Sequence, residues 1–164
     1  MRTLLLLRHA KSSRSDRAIA DLDRPLNARG RRDAPRVGRV IADLDPAPEF
    51  ILCSPALRTR QTLTLAQESG PLGAPTRFDE GVYEATPGRL LSLIHETPDD
   101  VGVLLIVGHN PGMAGLVGLL TGAAEDMPTG ALARLEFDTS RWAGVEPGEG
   151  GLARVWRPKD GDQD

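Results

Sequence analysis

Three stretches of the chain repeat one pattern: a short unbroken apolar run, a tight turn carrying polar side chains, then apolar residues at helical spacing. The first is Thr3-Leu4-Leu5-Leu6-Leu7 running into Arg8-His9-Ala10-Lys11. The second is Phe50-Ile51-Leu52-Cys53 running into Ser54-Pro55, and the third Val103-Leu104-Leu105-Ile106-Val107 running into Gly108-His109-Asn110-Pro111. Four consecutive leucines do not alternate, so the strand they predict is buried on both faces, as in a parallel sheet. Ser54-Pro55 and Asn110-Pro111 read as helix starts, each a capping oxygen followed by proline at the first helical position. Thr86-Pro87 opens another helix, with Leu90, Leu91 and Ile94 at helical spacing. Between Asn27 and Leu44, the positions of Ala34, Val37, Val40, Ile41 and Leu44 predict one more. Pro35 leaves two readings of it: a start at an Asp33 cap, or an earlier start with a kink. Two later strands are expected near Ala131–Phe137 and Leu152–Trp156, both at sheet edges. Residues 10–26 are polar and read as a long loop beside the first strand's exit; Gly144–Gly151 reads as a turn.

Alternating strands and helices predict an α/β layered domain with a largely parallel sheet. At 164 residues, with 40% apolar and 26% charged side chains, the chain fits one soluble domain over residues 1–157. Pro158–Asp164 has the composition of a frayed tail. A formal charge of −3 argues against a nucleic-acid partner. The basic stretch Arg29, Arg31, Arg32, Arg36 and Arg39 reads as a solvated helix face. One cysteine excludes an internal disulfide framework and a Cys-rich zinc module. No apolar stretch reaches the length of a membrane span, and Leu4–Leu7 is too short for a signal-peptide core. The expectation is a cytoplasmic protein with no membrane partner.

In open α/β sheets, ligands bind outside the carboxyl ends of the strands. Arg8 and His9 lie at the first such end and His109 at the third, with Arg58 one turn into the helix after the second. Two arginines and two histidines near helix N-termini describe a site for a dianionic tetrahedral group. Plainer roles stand beside that one. Arg8 can pair with Asp21 or Asp23, His9 can bond a backbone carbonyl, His109 can serve a tight turn, and Arg58 and Arg60 can share a solvated face. His95 reads as exposed. Other phosphate chemistries fail on spacing: four residues separate Cys53 from Arg58 where a cysteine phosphatase needs five, and neither lysine completes a P-loop. No metal-ligating pattern is present.

Leu7-Arg8-His9-Ala10-Lys11-Ser12 resembles the Arg-His signature of the histidine phosphatase superfamily, also called the phosphoglycerate mutase-like fold. Arg24-Pro25-Leu26-Asn27 with Gly30 resembles its next element, and Ser54-Pro55-Ala56-Leu57-Arg58-Thr59-Arg60-Gln61-Thr62 the element carrying the second arginine. Val107-Gly108-His109-Asn110 resembles the element carrying the second histidine. Over residues 3–137, order, spacing and short length look most like the SixA group of phosphohistidine phosphatases.

The resemblance implies a three-layer α/β fold with a mostly parallel central sheet flanked by helices, and hydrolysis without metal or cofactor. His9 would be the nucleophile, forming a transient phosphohistidine, while Arg8, Arg58 and His109 hold the equatorial oxygens. The second nitrogen of His9 should then donate to a backbone carbonyl. Glu84 is the candidate general acid and Glu80 its rival, although an imidazole leaving group could depart without one. Lys11, Ser12 and Asn110 would touch substrate or phosphate. Short length implies an open, shallow pocket, suited to a phosphorylated protein or to small phosphorylated substrates, with inorganic phosphate as product. The competing readings are a phosphatase of a small phosphorylated metabolite or nucleotide, and a non-catalytic module that binds phosphorylated ligands.

Overall fold

The computed structural model describes residues 1–70 and 72–158. Six strands form one sheet: β1 (Arg2–Arg8), β2 (Phe50–Cys53), β3 (Thr76–Phe78), β4 (Val103–Gly108), β5 (Leu132–Phe137) and β6 (Gly151–Trp156), in the order β3-β2-β4-β1-β5-β6. β3, β2, β4 and β1 pair in parallel; β5 runs antiparallel to both β1 and β6. The sheet is therefore mostly parallel, with helices on both faces.

The unbroken leucine run has the cause expected of it. Leu4 and Leu6 point into one core with α3 (Pro87–His95) and α4 (Gly112–Thr121). Leu5 and Leu7 point into the other, with Val37 and Ile41 of α1 (Ala28–Ala42) and Leu63 and Ala66 of α2 (Leu57–Glu68). Successive strand residues face opposite sides, so only a strand covered on both faces tolerates four apolar residues in a row. Each fully buried leucine contributes about 1.5–3 kcal/mol. The central strand is thus a stiff base for whatever its end carries.

Several local expectations are corrected. α1 begins at an Asn27 cap, whose side chain accepts from the Gly30 amide at 2.9 Å, and continues through Pro35. Asp33 is not a cap: it is buried within the helix, beside Arg29 (3.5 Å) and Arg36 (3.8 Å). All five arginines of that stretch are exposed. α2 starts at Leu57 after Ala56, which has no side-chain cap; the Ser54 hydroxyl accepts from the Ala56 amide at 3.3 Å and bonds His109. α4 starts at Gly112, one residue later than the pattern put it, while the Asn110 side chain supplies the expected capping oxygen by accepting from the Ala114 amide at 3.0 Å. The Thr86 cap and Pro87 start of α3 hold as read.

β5 is not an edge strand, since it pairs with β1 on one side and β6 on the other; the edges are β3 and β6. β3 was not expected: three residues, Thr76-Arg77-Phe78, are too few to show a period. Residues 10–26 form a loop, braced by a bridge between Ser12 and Leu26 and by a short 3-10 turn at Asp21–Asp23. Of the expected tail, Pro158 alone falls within the described residues. Among those residues no helix is long and apolar enough to cross a membrane.

Candidate active site

Strand register brings the site together. Arg8 stands opposite Gly108 in the parallel β1–β4 pair, and the His9 amide donates to Gly108 O at 3.0 Å. The next residues, His9 and His109, therefore leave adjacent strands side by side, with ring centroids 5.3 Å apart. β2 ends one place along, where the Ser54 amide donates to Val107 O at 3.0 Å, and the first turn of α2 then delivers Arg58. A cleft of about 220 Å³ lies at these strand ends. Arg8, His9, Arg58, His109, Lys11, Ser12, Asn110 and Glu84 all line it. Glu80 does not: it lies on a neighbouring hollow with Glu84 and Arg89. Arg60 leaves α2 on another side and stacks over Phe78, 5.8 Å from the ring centre. His95 is exposed, bonds Val145 O at 2.7 Å and does not line the cleft.

His9 and His109 are both buried, with 6% exposure each. His9 Nδ1 lies 2.7 Å from Ala10 O. A carbonyl only accepts, so Nδ1 carries the proton and Nε2 keeps its lone pair. Burial, foremost, lowers the His9 pKa to about 3. The ring is therefore neutral at pH 7. His109 Nε2 lies 2.7 Å from the Ser54 hydroxyl. That hydroxyl accepts from the Ala56 amide at 3.3 Å, and Nε2 is the one acceptor within reach of its proton among the described hydrogen bonds, so the hydroxyl is assigned as donor to Nε2. The His109 proton then sits on Nδ1, a buried atom without a protein partner. Burial, and secondarily the Arg58 charge, lowers the His109 pKa to about 4.

The arginines are held differently. Arg8 Nη1 donates to Met127 O at 3.1 Å, and burial lowers its pKa from the ordinary value. It does not pair with Asp21 or Asp23 as the plainer reading allowed. Asp21 instead takes Arg58, whose Nη2 donates to Oδ2 at 3.0 Å and whose Nη1 donates to the Asp21 carbonyl at 2.7 Å. Asp21 also accepts from Arg24 Nε at 3.0 Å and from the Tyr83 hydroxyl at 2.5 Å. These donors, the tyrosine first, hold the Asp21 carboxyl well below the usual carboxylate range, while the same bond pushes Tyr83 up to about 12. Tyr83 stands edge-on to His109, with centroids 5.5 Å apart.

Arg8 Nε, Arg58 Nε and His109 Nδ1 are all buried without a protein partner. An unsatisfied buried donor costs about 1–3 kcal/mol. All three belong to residues that line one cleft, and its two arginines with the two histidines make a lining that suits a tetrahedral oxyanion. Cys53 is no rival nucleophile: burial pushes its thiol up to about 12. Among the described residues no three His, Cys, Asp or Glu side chains gather closely enough to hold a metal ion.

Ser12 and Asn110 line the cleft with their polar atoms engaged by the protein. Ser12 accepts from Arg24 Nη1 at 2.8 Å, and Asn110 Nδ2 donates to Met127 O at 2.9 Å. Arg14, Asp21, Arg24 and Thr129 also line the cleft, with Ser54 and Tyr83 against His109, and none of these six is among the site residues the sequence predicts. The Arg24-Pro25-Leu26-Asn27 element and the spacing of Asp21 and Arg24, three apart in a polar loop, are the signals the chain offers, and nothing in it links Arg58 to either.

A model of the Histidine phosphatase superfamily (branch 1) matches residues 4–101, which takes in Arg8, His9 and Arg58 and stops short of His109. An uncharacterised protein of Mycobacterium tuberculosis is 40% identical over 164 residues, covering 93% of this chain and 100% of its own length. A candidate phosphohistidine phosphatase SixA from Nakamurella multipartitia has a similar structure, with a TM-score of 0.84 at 28% identity over 96% of each chain. The corresponding candidate from Agrobacterium tumefaciens has a TM-score of 0.82 at 29% identity, over 96% of this chain and 98% of its own.

Proposed function

The chain belongs to the histidine phosphatase superfamily and is a phosphatase, and from that premise we propose that it hydrolyses phosphohistidine on a protein through a covalent intermediate at His9. The observation that carries the mechanism is the His9–Ala10 hydrogen bond, which leaves Nε2 unprotonated at the cleft. Likeness to the two SixA candidates at 28% and 29% identity supports the choice of substrate class.

In the first step Nε2 attacks phosphorus and the bond from phosphorus to the leaving group breaks. The leaving group takes that electron pair and a proton. In the second step water attacks the phosphohistidine, its proton is lost, and Nε2 departs with its lone pair restored, releasing inorganic phosphate. Arg8, Arg58 and the His109 Nδ1–H hold the equatorial oxygens, where the charge of a loose transition state concentrates. Splitting the transfer in two lets each step meet a lower barrier.

Glu84 is our candidate proton donor for oxygen leaving groups. It stands on the rim of the same cleft and has a left-handed backbone (φ 51°), a conformation unfavourable for a residue with a side chain. An imidazole leaving group carries its own proton-accepting nitrogen and depends less on Glu84. None of these steps calls for a metal ion or an organic cofactor, and a phosphorylated protein is the partner.

The test is a turnover assay in EDTA at neutral pH, offering a phosphohistidine-bearing protein and a panel of small phosphoesters to wild type and His9→Ala. Preference for phosphohistidine, lost in the variant, is the expected result. Preference for one phosphoester would move the substrate into small-molecule metabolism. Activity lost in EDTA and restored by a divalent ion would overturn the metal-free mechanism, and binding without any turnover would leave a phospho-ligand module.

A further inference from the structure

The cleft carries more positive charge than one phosphoryl group engages. Arg24 is committed to the protein: its Nη1 donates to the Ser12 hydroxyl at 2.8 Å and to Ser13 O at 3.2 Å, and its Nε to Asp21 at 3.0 Å. Lys11 and Arg14 are not. Both line the cleft, both are exposed, and no hydrogen bond or ion pair engages either side chain among the described residues.

Their backbone is nevertheless held firmly. Asn27 N donates to Lys11 O at 3.0 Å, Ser13 N donates to Pro25 O at 2.8 Å, and Ser12 forms a bridge with Leu26. α1 approaches so closely that a Cβ at Gly30 would lie 2.1 Å from Lys11 O. The Arg24 guanidinium closes this bracket from inside. Arg14 lies near enough to Arg8 for its charge to help depress that guanidinium's pKa. Two unpaired cations mounted on a braced segment beside a third repel one another unless an anion comes between them. Every residue lining the cleft is polar or charged.

We propose that Lys11 and Arg14 form a second anion subsite on the rim, which takes a carboxylate or phosphate that the substrate carries beside the phosphoryl group it loses. This rests on the phosphatase reading at His9 and narrows it to substrates with two negative groups. An acidic residue flanking a phosphohistidine supplies that chemistry, and so does a second phosphate on a small molecule.

Binding separates the subsite from the catalytic reading, because it does not depend on turnover. Titration calorimetry at low salt would compare methylenediphosphonate with methylphosphonate on wild type, Arg14→Glu and Lys11→Ala. An exposed cation–anion pair is worth roughly 0.2–1 kcal/mol, up to about fivefold in affinity. Wild type should therefore prefer the diphosphonate about tenfold, and Arg14→Glu should erase most of that preference. Lys11→Ala should reduce it about threefold, and raising salt towards 1 M should collapse it in wild type. No preference in wild type, or one that survives in both variants, would overturn the subsite. Turnover then identifies the source. Wild type would be offered phosphohistidine peptides flanked by aspartates or by asparagines, and fructose bisphosphate against fructose monophosphate. Preference in the peptide pair supports an acidic flank, and preference in the sugar pair supports a second phosphate. If no substrate is turned over, the phosphatase mechanism at His9 fails while the phosphonate ratio still decides the subsite.

Discussion

The ends of β1 and β4 make the instructive pair. They are hydrogen-bonded neighbours in parallel register, and each delivers one histidine of equal burial into the same cleft. Burial lowers both pKa values, to about 3 and about 4, so both rings are neutral at pH 7. What separates them is the anchor. His9 is tied through Nδ1 to a backbone carbonyl, His109 through Nε2 to the hydroxyl of Ser54 at the exit of β2. One ring is left with a free lone pair at Nε2, the other with a free N–H at Nδ1. In the proposed mechanism the first attacks phosphorus and the second donates to an oxygen, although residue type, exposure and charge are the same. The hydrogen-bond partner sets the chemistry, and the partner comes from backbone in one case and from a third strand's side chain in the other.

The sharpest way to break this comparison is to remove each ring. His9→Ala should lower turnover by at least about 10⁴-fold, as loss of a nucleophile does, whereas His109→Ala should cost about 10²–10³-fold, the scale of one lost oxyanion donor. Equal losses would mean the two rings share a role. Next in size is Asp21→Asn, which leaves the carboxamide in place but removes the charge holding Arg58. Misplacing one positioning group should cost about 10–100-fold in kcat/KM, and a parallel loss of vanadate affinity would identify the arginine as the cause. Unchanged vanadate binding would assign Asp21 a purely structural role.

Ser54→Ala addresses the anchor alone. It should cost about tenfold in turnover and move the His109 proton towards a mixture of tautomers, visible in ring ¹⁵N shifts, with His9 unaffected. Tautomers unchanged by the substitution would sink the account given for His109.

The smallest effect concerns pH. Neither ring should titrate between about pH 8 and 5 in the free protein, against about 6.5 for an ordinary histidine. Because both folded-state values lie below the unfolded value, the unfolded chain binds more protons in that window, and stability falls as pH drops from about 6.5 towards the lowered values. The urea midpoint at pH 5 should therefore lie below that at pH 7. Asp21, lowered in the fold, adds stability above the ordinary carboxylate pKa that is lost only at lower pH, so it does not mask the histidine window.

Much was legible before the fold was seen. The unbroken runs at Leu4–Leu7 and Val103–Val107 announce strands covered on both faces, because alternation disappears only when neither side meets water. A polar turn after such a run has nowhere to go but the sheet's end, so Arg8, His9 and His109 could be placed at the cleft from their position after a strand. Thr86-Pro87 marked its helix correctly because cap and helix lie within four residues of each other.

Only the tertiary structure decided the rest. Ser54 was read as a cap and serves His109 instead, across 55 residues of sequence. Asp21 was offered to Arg8 and went to Arg58 and Tyr83, 37 and 62 residues away. The interior position of β5 was equally invisible, since it depends on which strands lie beside it rather than on its own residues. Local pattern reports how often a side chain meets water, and that is a property of a residue and its near neighbours. Hydrogen-bond partners depend on strand register and helix placement, which bring distant residues within 3 Å only after the two cores have packed.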